Sequence, residues 1–314
     1  MKIGVIGAGA VGSACIFATV MRGFARDIVL VNRNRKRSIA VATDIRYGAA
    51  LSPATRIRDG DYVDLKGATV VMITAGVNER TGGATDRSDP SGRLKLLDAN
   101  AGVYRQILPK LSEVAPQAVI VVVTDPPDPL ADLVRTFGFR HVVSTGTYLD
   151  SLRFRVHLAQ RLNVNPASIE AQVVGEHGTS EVLLWSSARV AGAPIFDSVR
   201  HTDLSRAELR QDIEHEVRYA NIAIIEGNRA SQYGVGMVSA RIAEIIVRDE
   251  RVVLPIGSFN AKYGVTLSMP SIVGRAGVVQ ILEPDMCDEE RKSVQRSADT
   301  LRNAVARMQD GMEA

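Results

Sequence analysis

Short apolar runs rich in β-branched residues alternate with longer stretches of helical periodicity through the first half of the chain. Four of these runs predict strands: Lys2 to Ile6, Ile28 to Val31, Val70 to Thr74 and Val119 to Val123. Strands that are apolar along their length, with helices between them, are typical of a parallel sheet covered on both faces. The pattern therefore predicts a doubly wound α/β domain over residues 1–148.

The hydrophobic pattern changes after about residue 148. Longer helical stretches follow, with an apolar region from Val182 to Ile195 and a hairpin-like region from Val252 to Leu282. This predicts a second, α+β domain over residues 149–314 that holds the substrate. Near the C-terminus, apolar residues recur at spacings of four and three and predict one buried helix face: Val294, Ala298, Leu301, Val305 and Met308.

Length and composition agree with two folded domains. A chain of 314 residues exceeds what one core usually organises, and 46% hydrophobic with 23% charged residues is ordinary globular composition. The net charge of +3 is small, and the only dense basic run is residues 33–37. A nucleic-acid-binding protein would gather more positive charge on one face, so we expect no nucleic-acid partner.

The sequence gives no sign of a metal centre, a secretion signal or a membrane span. Cys15 and Cys287 are far apart, with no CxxC motif and no histidine nearby, so neither a zinc site nor a disulfide is expected. The N-terminus enters an apolar strand at once, and no apolar stretch approaches about 18 residues. We expect a cytoplasmic protein without membrane contacts.

A glycine-rich turn follows the first predicted strand. Gly7, Gly9 and Gly12 form GAGAVG just before a helical stretch that runs through Met21. In the G-x-G-x-x-G pattern the first glycine allows a tight turn, the second lets the backbone approach a pyrophosphate, and the third permits close helix packing. The motif predicts a Rossmann-type dinucleotide site, with a purely structural glycine turn as the alternative.

The end of the second strand bears on the choice of cofactor. An acidic residue there usually binds the ribose hydroxyls of NAD, but this chain has Asn32, followed by Arg33 and further basic residues. Without the carboxylate, and with an arginine nearby, a 2′-phosphate is accommodated, which favours NADP over NAD. The alternative is that the basic run is a solvated helix start and that Asn32 binds NAD through its amide.

Three residues of the predicted second domain suit hydride transfer to or from a 2-hydroxy acid. The reaction needs a base for the hydroxyl proton, a group that holds this base, and a cation for the carboxylate. His177 lies between glycines in VVGEHGTSE, and Asp150 and Arg153 in STGTYLDSLRF share one helical face. The alternative is a buried, salt-bridged cluster without catalysis.

The order of the motifs resembles the L-lactate and malate dehydrogenase superfamily over nearly the whole chain. GAGAVG, ITAG at 73–76, TDPPD, STGTxLDSxRF and GEHGxSE follow each other as in that family, and the last two have the form typical of L-lactate dehydrogenases. The resemblance implies an NAD(P)-dependent L-2-hydroxy acid dehydrogenase that transfers hydride reversibly at C2 of pyruvate, L-lactate or a close analogue. It also implies a homodimer or homotetramer.

The resemblance implies roles for individual residues. His177 would be the proton acceptor and donor, Asp150 would orient it, and Arg153 would bind the substrate carboxylate. The carbonyl-polarising arginine, on a mobile loop, would be Arg93 in the pattern R-L-x-L-x-x-x-N that ends at Asn100. Further residues expected at the cofactor are those of the matching motifs: Val11, Thr74, Gly76 and Asn100.

Four features depart from the family or bear on the substrate. The loop between Gly76 and Arg93 is longer than usual, and residues 78–92 are rich in Gly, Asp, Thr and Ser. Glu79 stands where the resemblance places Gln in lactate enzymes and Arg in malate enzymes, which disfavours oxaloacetate; an alignment shifted by one residue would place Arg80 there and reverse this. Asp125 replaces the Asn of the N-P-x-D turn, and Ser231 at the specificity position leaves room for a modest C3 substituent.

These departures leave other functions open. A malate dehydrogenase is one, and a specialised NADP-dependent reductase is another, with a substrate that carries a hydroxyl or amine group near Glu79 and Asp125. A non-catalytic dinucleotide-binding protein is a third, although decayed chemistry would not be expected to spare all four of the residues His177, Asp150, Arg153 and Arg93.

Overall fold

The computed structural model describes residues 1–53, 55–89, 91–198 and 205–310. Its first part alternates strands and helices, as predicted. The elements are β1 (Lys2–Ile6), α1 (Ala10–Arg22), β2 (Asp27–Val31), α2 (Arg35–Gly48), β3 (Arg56–Gly60), β4 (Val70–Ile73), α3 (Leu97–Val114), β5 (Val119–Val122), α4 (Pro127–Thr136) and β6 (Val142–Ser144), with 3-10 helices at Ala49–Leu51, Tyr62–Leu65 and Gly92–Leu96.

The second part mixes longer helices with short strands and one long antiparallel region. Its elements are α5 (Tyr148–Leu162), a 3-10 helix (Pro166–Ser168), β7 (Ile169–Glu170), β8 (Val173–Val174), β9 (Val182–Leu183), β10 (Arg189–Val190), β11 (Ala193–Pro194), α6 (Ile195–Ser198), α7 (Arg206–Arg218), α8 (Ala220–Asn228), α9 (Tyr233–Arg248), β12 (Val252–Asn260), β13 (Val265–Gly274), β14 (Gly277–Ile281) and α10 (Asp288–Asp310).

The first six strands form a parallel sheet in the order β3-β2-β1-β4-β5-β6. This order reverses direction between β1 and β4, and such sheets bind their ligands at the carboxyl ends of the strands beside that switch. The predicted doubly wound domain is confirmed. Antiparallel β12, β13 and β14 then extend the sheet beyond β6 through the pairing of Ser144 with Gly257. The domain boundary at residue 148 stays a prediction, since one sheet crosses it.

All four predicted strands are present, and the hairpin-like region is the pair β12 and β13. Two strands of the parallel sheet were not predicted, β3 and β6. The first lies at the sheet edge and reads RIRDG, so polar side chains interrupt its pattern, while the second is only three residues long. Edge and very short strands carry a weak hydrophobic signal because less of their surface is buried.

Helices cover both faces of the sheet. Helices α1 and α9 pack on one face, and α3 and α4 pack on the other. The predicted apolar stripe of α10 is also buried: Val294, Ala298 and Leu301 join the core of the second part, and Met308 joins the cluster under α3. Among the described residues, no helix combines the length and apolar character required to cross a membrane.

Candidate active site

The glycine turn between β1 and α1 has the geometry of a phosphate cradle. Gly7 has φ +116, and a Cβ on Gly12 would lie 1.9 Å from the carbonyl oxygen of Gly7, so neither position accepts a side chain without strain. A Cβ on Gly9 would meet no atom within 4 Å, and no side chain caps the start of α1 there. The open space faces backbone N–H groups at a helix N-terminus, which fits a dinucleotide pyrophosphate.

A cleft runs from this turn to the loops of the second part. The predicted cofactor residues Gly9, Val11, Thr74 and Gly76 line one end of it. The other end is lined by six of the residues that were expected to act on the substrate or to bind it: Glu79, Arg93, Asp125, Arg153, His177 and Ser231. The fold therefore brings both sets together in one cleft.

Asn32 holds the glycine turn rather than pointing a free amide outward. Its Oδ1 accepts a hydrogen bond from the N–H of Ala8 at 3.1 Å, and its Nδ2 donates to the carbonyl of Asn34 at 2.9 Å. Later in the basic run, Arg37 Nε donates to the carbonyl of Ala8 at 2.6 Å. Arg33 is exposed and makes no ion pair with any described residue, so it is free to bind a ligand beyond β2.

Asn100, predicted at the cofactor, is fully buried beneath the cleft. Its Oδ1 accepts the N–H of Val77 at 2.6 Å, and its Nδ2 donates to the carbonyl of Asp125 at 2.6 Å. The side chain thus ties together the loops that follow β4 and β5. Its direct contact with a cofactor stays a prediction.

His177, Asp150 and Arg153 form one connected group. Helix α5 carries the acid and the arginine, and His177 lies in the loop after β8. His177 Nδ1 is 2.5 Å from Asp150 Oδ2, and an Arg153 guanidinium nitrogen donates to Asp150 Oδ1 at 2.7 Å. Burial opposes the charge of Asp150, but His177 and Arg153 outweigh burial and lower the pKa of this carboxyl.

Asp128 binds the backbone of His177. The sequence analysis gave no role to this residue, although it lies in the TDPPD motif. Its Oδ2 accepts the N–H of His177 at 2.8 Å, and its Oδ1 accepts the hydroxyl of Ser144 at 2.5 Å. Burial raises the pKa of Asp128 to about 7, although both hydrogen bonds favour its ionised form. The N-P-x-D pattern, which places this residue just after β5, was the signal that could have identified it.

Arg93 extends from the 3-10 helix Gly92–Leu96 into the cleft. Its side chain is 8% exposed, and its Nε lies 3.3 Å from Asp125 Oδ2. The pair lacks hydrogen-bond geometry, so this buried Nε has no hydrogen-bond partner among the described residues. Burial acts against the Arg93 charge, but Asp125, Asp150 and Glu79 raise its pKa.

Asp125 and Glu79 lie beside Arg93 at the substrate end. Asp125 Oδ1 is 3.6 Å from Nε2 of His177, the ring nitrogen that Asp150 leaves free. Glu79 is half-buried and faces Asp125. Burial and the neighbouring Asp125 charge raise the pKa of Glu79 to about 7. Ser231 lines the same cleft without a described hydrogen bond.

The long loop before Arg93 is anchored on the second part of the chain. Arg87 forms two hydrogen bonds with Glu226 of α8, at 2.6 and 3.0 Å. Asn78 and Glu79, at the start of the loop, line the cleft. Residue 90 of this predicted loop lies outside the described residues. Within the described ranges, no group of three or more His, Cys, Asp or Glu residues could hold a metal ion.

Comparison with known sequences decides the family. Residues 1–141 match the lactate/malate dehydrogenase NAD binding domain, and residues 147–311 match the lactate/malate dehydrogenase alpha/beta C-terminal domain. The chain belongs to the lactate/malate dehydrogenase family. Membership in this family makes it an oxidoreductase with a nicotinamide dinucleotide cofactor, as the motifs predicted.

The relatives of this family member include several L-lactate dehydrogenases. It is 41% identical to the enzyme of Deinococcus radiodurans over 304 residues, 96% of this chain and 97% of that protein. The Thermus aquaticus L-lactate dehydrogenase is also 41% identical, over 98% of this chain and 99% of that protein. The predicted resemblance to the L-lactate dehydrogenase side of the family is confirmed.

Solved structures give the same result. A lactate dehydrogenase from a Medee basin deep-sea metagenome superposes with a TM-score of 0.89 at 30% identity, with 98% of each chain covered. The minor L-lactate dehydrogenase of Enterococcus mundtii, in a ligand-bound form, gives 0.88 at 31% identity, with 97% of each chain covered. The described residues therefore have the fold of lactate dehydrogenases in both parts of the chain.

Proposed function

We propose that this family member is an NAD(P)-dependent L-2-hydroxy acid dehydrogenase of the lactate dehydrogenase type. It interconverts a small 2-keto acid, pyruvate or a close analogue, with the matching L-2-hydroxy acid. The observation that carries the proposal is the hydrogen-bonded group of His177, Asp150 and Arg153 at one end of the cleft whose other end is the glycine cradle.

The side chains divide the work of reduction. His177 holds a proton on Nε2 and donates it to the carbonyl oxygen, since Asp150 holds Nδ1 and stabilises the imidazolium. Arg153 donates one N–H to Asp150, and the other N–H groups of its guanidinium can bind the substrate carboxylate. Arg93 stabilises the negative charge that develops on the carbonyl oxygen. When bound, the nicotinamide dinucleotide supplies the hydride for C2, or accepts it in the reverse direction.

We further propose that NADP is the preferred cofactor. The end of β2 presents the neutral amide of Asn32 where a carboxylate would repel a 2′-phosphate, and Arg33 beside it is exposed and unpaired among the described residues. Malate dehydrogenase activity is less well supported, because Glu79 repels a second substrate carboxylate. A homodimer or homotetramer in the cytoplasm stays a prediction of the family resemblance.

Initial rates of NADH and NADPH oxidation test both proposals. Pyruvate, oxaloacetate and longer 2-keto acids are compared in the wild type and in His177→Ala. We expect 2-keto acid reduction that falls about 10²- to 10⁴-fold in the variant, because the proton donor is lost, while NADPH binding is kept. Cofactor binding without turnover in the wild type would instead support the non-catalytic alternative. Arg33→Ala should lower kcat/KM for NADPH about tenfold and leave NADH unchanged.

A further inference from the structure

The charged groups at the substrate end of the cleft are not equally well paired. Asp150 is fully compensated, with Arg153 at 2.7 Å on one oxygen and His177 at 2.5 Å on the other. This part of the site has no electrostatic need for another partner. The remaining charges lie around Arg93, on the side of the long loop.

Two carboxylates share the single guanidinium of Arg93. Asp125 lies 3.3 Å from it, and Glu79 faces Asp125 but makes no ion pair of its own within the described part of the chain. His177 Nε2 is 3.6 Å from Asp125 Oδ1, but this histidine already pairs with Asp150 through Nδ1. Among the described residues, Arg93 is therefore the cation left for two half-buried carboxylates, and one negative charge stays uncompensated, which is costly where water is excluded. Burial is the largest cause of the raised pKa of Glu79, and the negative charge of Asp125 is the second.

The Arg93 side chain adds an independent sign that something is bound here. It is more than nine-tenths buried and lines the cleft, yet its Nε has no hydrogen-bond partner among the described residues. Buried polar atoms are normally satisfied by protein, water or ligand. The substrate carbonyl oxygen can satisfy this guanidinium and the substrate carboxylate can pair with Arg153, but neither of them compensates the excess negative charge of Glu79 and Asp125.

The wall around Glu79 is polar as well as acidic. Asn221 and Ser231 line the cleft with it and carry neutral hydrogen-bonding groups, whereas the side-chain oxygen of Asn78 already accepts hydrogen bonds from Thr81. An apolar substrate side chain would remove water from these groups and replace no hydrogen bond. A side chain with several N–H donors would satisfy the amide and hydroxyl oxygens together with the two carboxylates.

We propose that the substrate of this cleft is a 2-keto acid, or the matching 2-hydroxy acid, whose side chain carries a positively charged group that binds between Glu79 and Asp125. The inference rests on the proposed function, because it assumes that Arg153 and His177 bind and reduce a 2-keto acid. The substrate cation pairs with both carboxylates and leaves Arg93 to polarise the carbonyl oxygen. An acid without such a cation, pyruvate included, binds well only when a proton neutralises Glu79.

A matched pair of substrates tests the charge alone. The 2-keto acids 2-oxo-5-guanidinopentanoate and 2-oxo-5-ureidopentanoate have nearly the same shape, but only the first is cationic. At pH 8 we expect kcat/KM for the guanidino acid to exceed that for the ureido acid by about tenfold or more, as one charge-assisted pair would give. The ratio should shrink toward pH 6, where Glu79 is protonated beside Asp125, Arg93 and His177.

Variants assign the preference to the acidic pair. Glu79→Gln keeps the shape of the side chain and should reduce the ratio at pH 8 about tenfold, mainly through KM for the guanidino acid, and Asp125→Asn should act in the same direction. Glu113→Gln makes the same chemical change at an exposed position of α3 and should leave the ratio unchanged. Thermal unfolding of each variant shows whether it is folded.

The outcomes separate this inference from the proposed function. Equal rates for the two acids at pH 8, a ratio that Glu79→Gln does not change, or reduction of pyruvate alone would overturn the inference and leave the proposed function standing. Failure of the wild type to reduce any 2-keto acid would overturn the proposed function. In that case, the thermal shift of the NADPH-loaded protein with each acid still decides whether the cleft prefers the cation: equal shifts would overturn the preference, and a larger shift with the guanidino acid would support it.

Discussion

The two ends of the cleft are built in different ways. The cofactor end beside the glycine turn is lined mostly by backbone and by small or apolar residues, among them Gly9, Val11 and Gly76, with Arg33 and Arg37 at its outer edge beyond β2. The substrate end is a network of charges in which neighbouring groups shift each other's pKa, as His177 and Arg153 lower the pKa of Asp150 against its burial. At the glycine turn the cofactor end holds its pyrophosphate by steric fit and backbone N–H groups, whereas the substrate end selects its ligand by charge balance.

This difference predicts which property each end controls. Changes in the glycine turn should alter folding stability or cofactor affinity, because an added Cβ either clashes with the backbone or occupies the space of the cofactor. Changes at the substrate end should alter turnover and pH dependence, because a neutral isostere fits but no longer carries the charge. Three experiments test this separation.

The largest effect is expected for Asp150→Asn. The amide occupies the same space beside His177 and Arg153 but cannot stabilise the imidazolium, so kcat should fall about a thousandfold in steady-state assays. The affinity for the cofactor, measured by fluorescence titration, should stay unchanged. Asp98→Asn, at an exposed position of α3, is the matched control. A variant with near wild-type kcat would show that the negative charge does not assist the histidine.

The cofactor end could be predicted from the sequence because its signals are local. Gly7, Gly9 and Gly12 lie within one strand-turn-helix unit, and the uninterrupted apolar pattern of β1 places them at the carboxyl end of a parallel strand. A residue pattern of this kind depends on neighbours in the sequence, so it can be interpreted without the fold. The same holds for the buried stripe of α10.

The substrate end was predicted only as a set of residue types. The family resemblance suggested Glu79 and Asp125 separately, but the contact of Asp125 with Arg93 and the position of Glu79 beside Asp125 depend on how the loops after β4 and β5 meet. Asp128 was missed for a related reason. Its hydrogen bond to His177 spans 49 residues of sequence, and a carboxylate after β5 gives no local sign of which N–H it will accept.

A second experiment concerns Asp128 and pH. Burial raises its folded-state pKa to about 7, above the ordinary value of 3.8, so the folded protein retains a proton that the unfolded chain releases. The stability that this proton gives is complete below pH 4 and is lost as the pH rises through 7. Between pH 5 and 8, the free energy of unfolding of the wild type should therefore fall by about 3 kcal/mol more than that of Asp128→Asn.

Denaturant titrations at several pH values measure this difference. Other titrating groups contribute equally to wild type and variant, so the comparison isolates the buried carboxyl. Asp98→Asn provides the exposed control and should follow the wild-type curve. Parallel curves for the wild type and Asp128→Asn would mean that Asp128 stays ionised and that Ser144 and His177 compensate for its burial.

The smallest effects should come from two alanine substitutions in the glycine turn, and they separate stability from binding. In Gly12→Ala the new Cβ would lie 1.9 Å from the backbone oxygen of Gly7, so we expect a loss of about 1–3 kcal/mol in the free energy of unfolding. Gly9 has φ −76 and open space around its Cβ position. Gly9→Ala should therefore change the unfolding free energy by less than about 1 kcal/mol.

The same Gly9→Ala variant should bind NADPH about tenfold more weakly, because the methyl group takes the space that backbone N–H groups of α1 offer to a pyrophosphate. Fluorescence titration of the folded variant measures this affinity, with urea unfolding as the parallel readout. Unchanged affinity in Gly9→Ala would place the pyrophosphate elsewhere. Equal losses of stability in both variants would mean that the turn is only a packing motif. The glycine turn would then not be a binding site defined by steric fit, and the contrast with the electrostatic substrate end would be wrong.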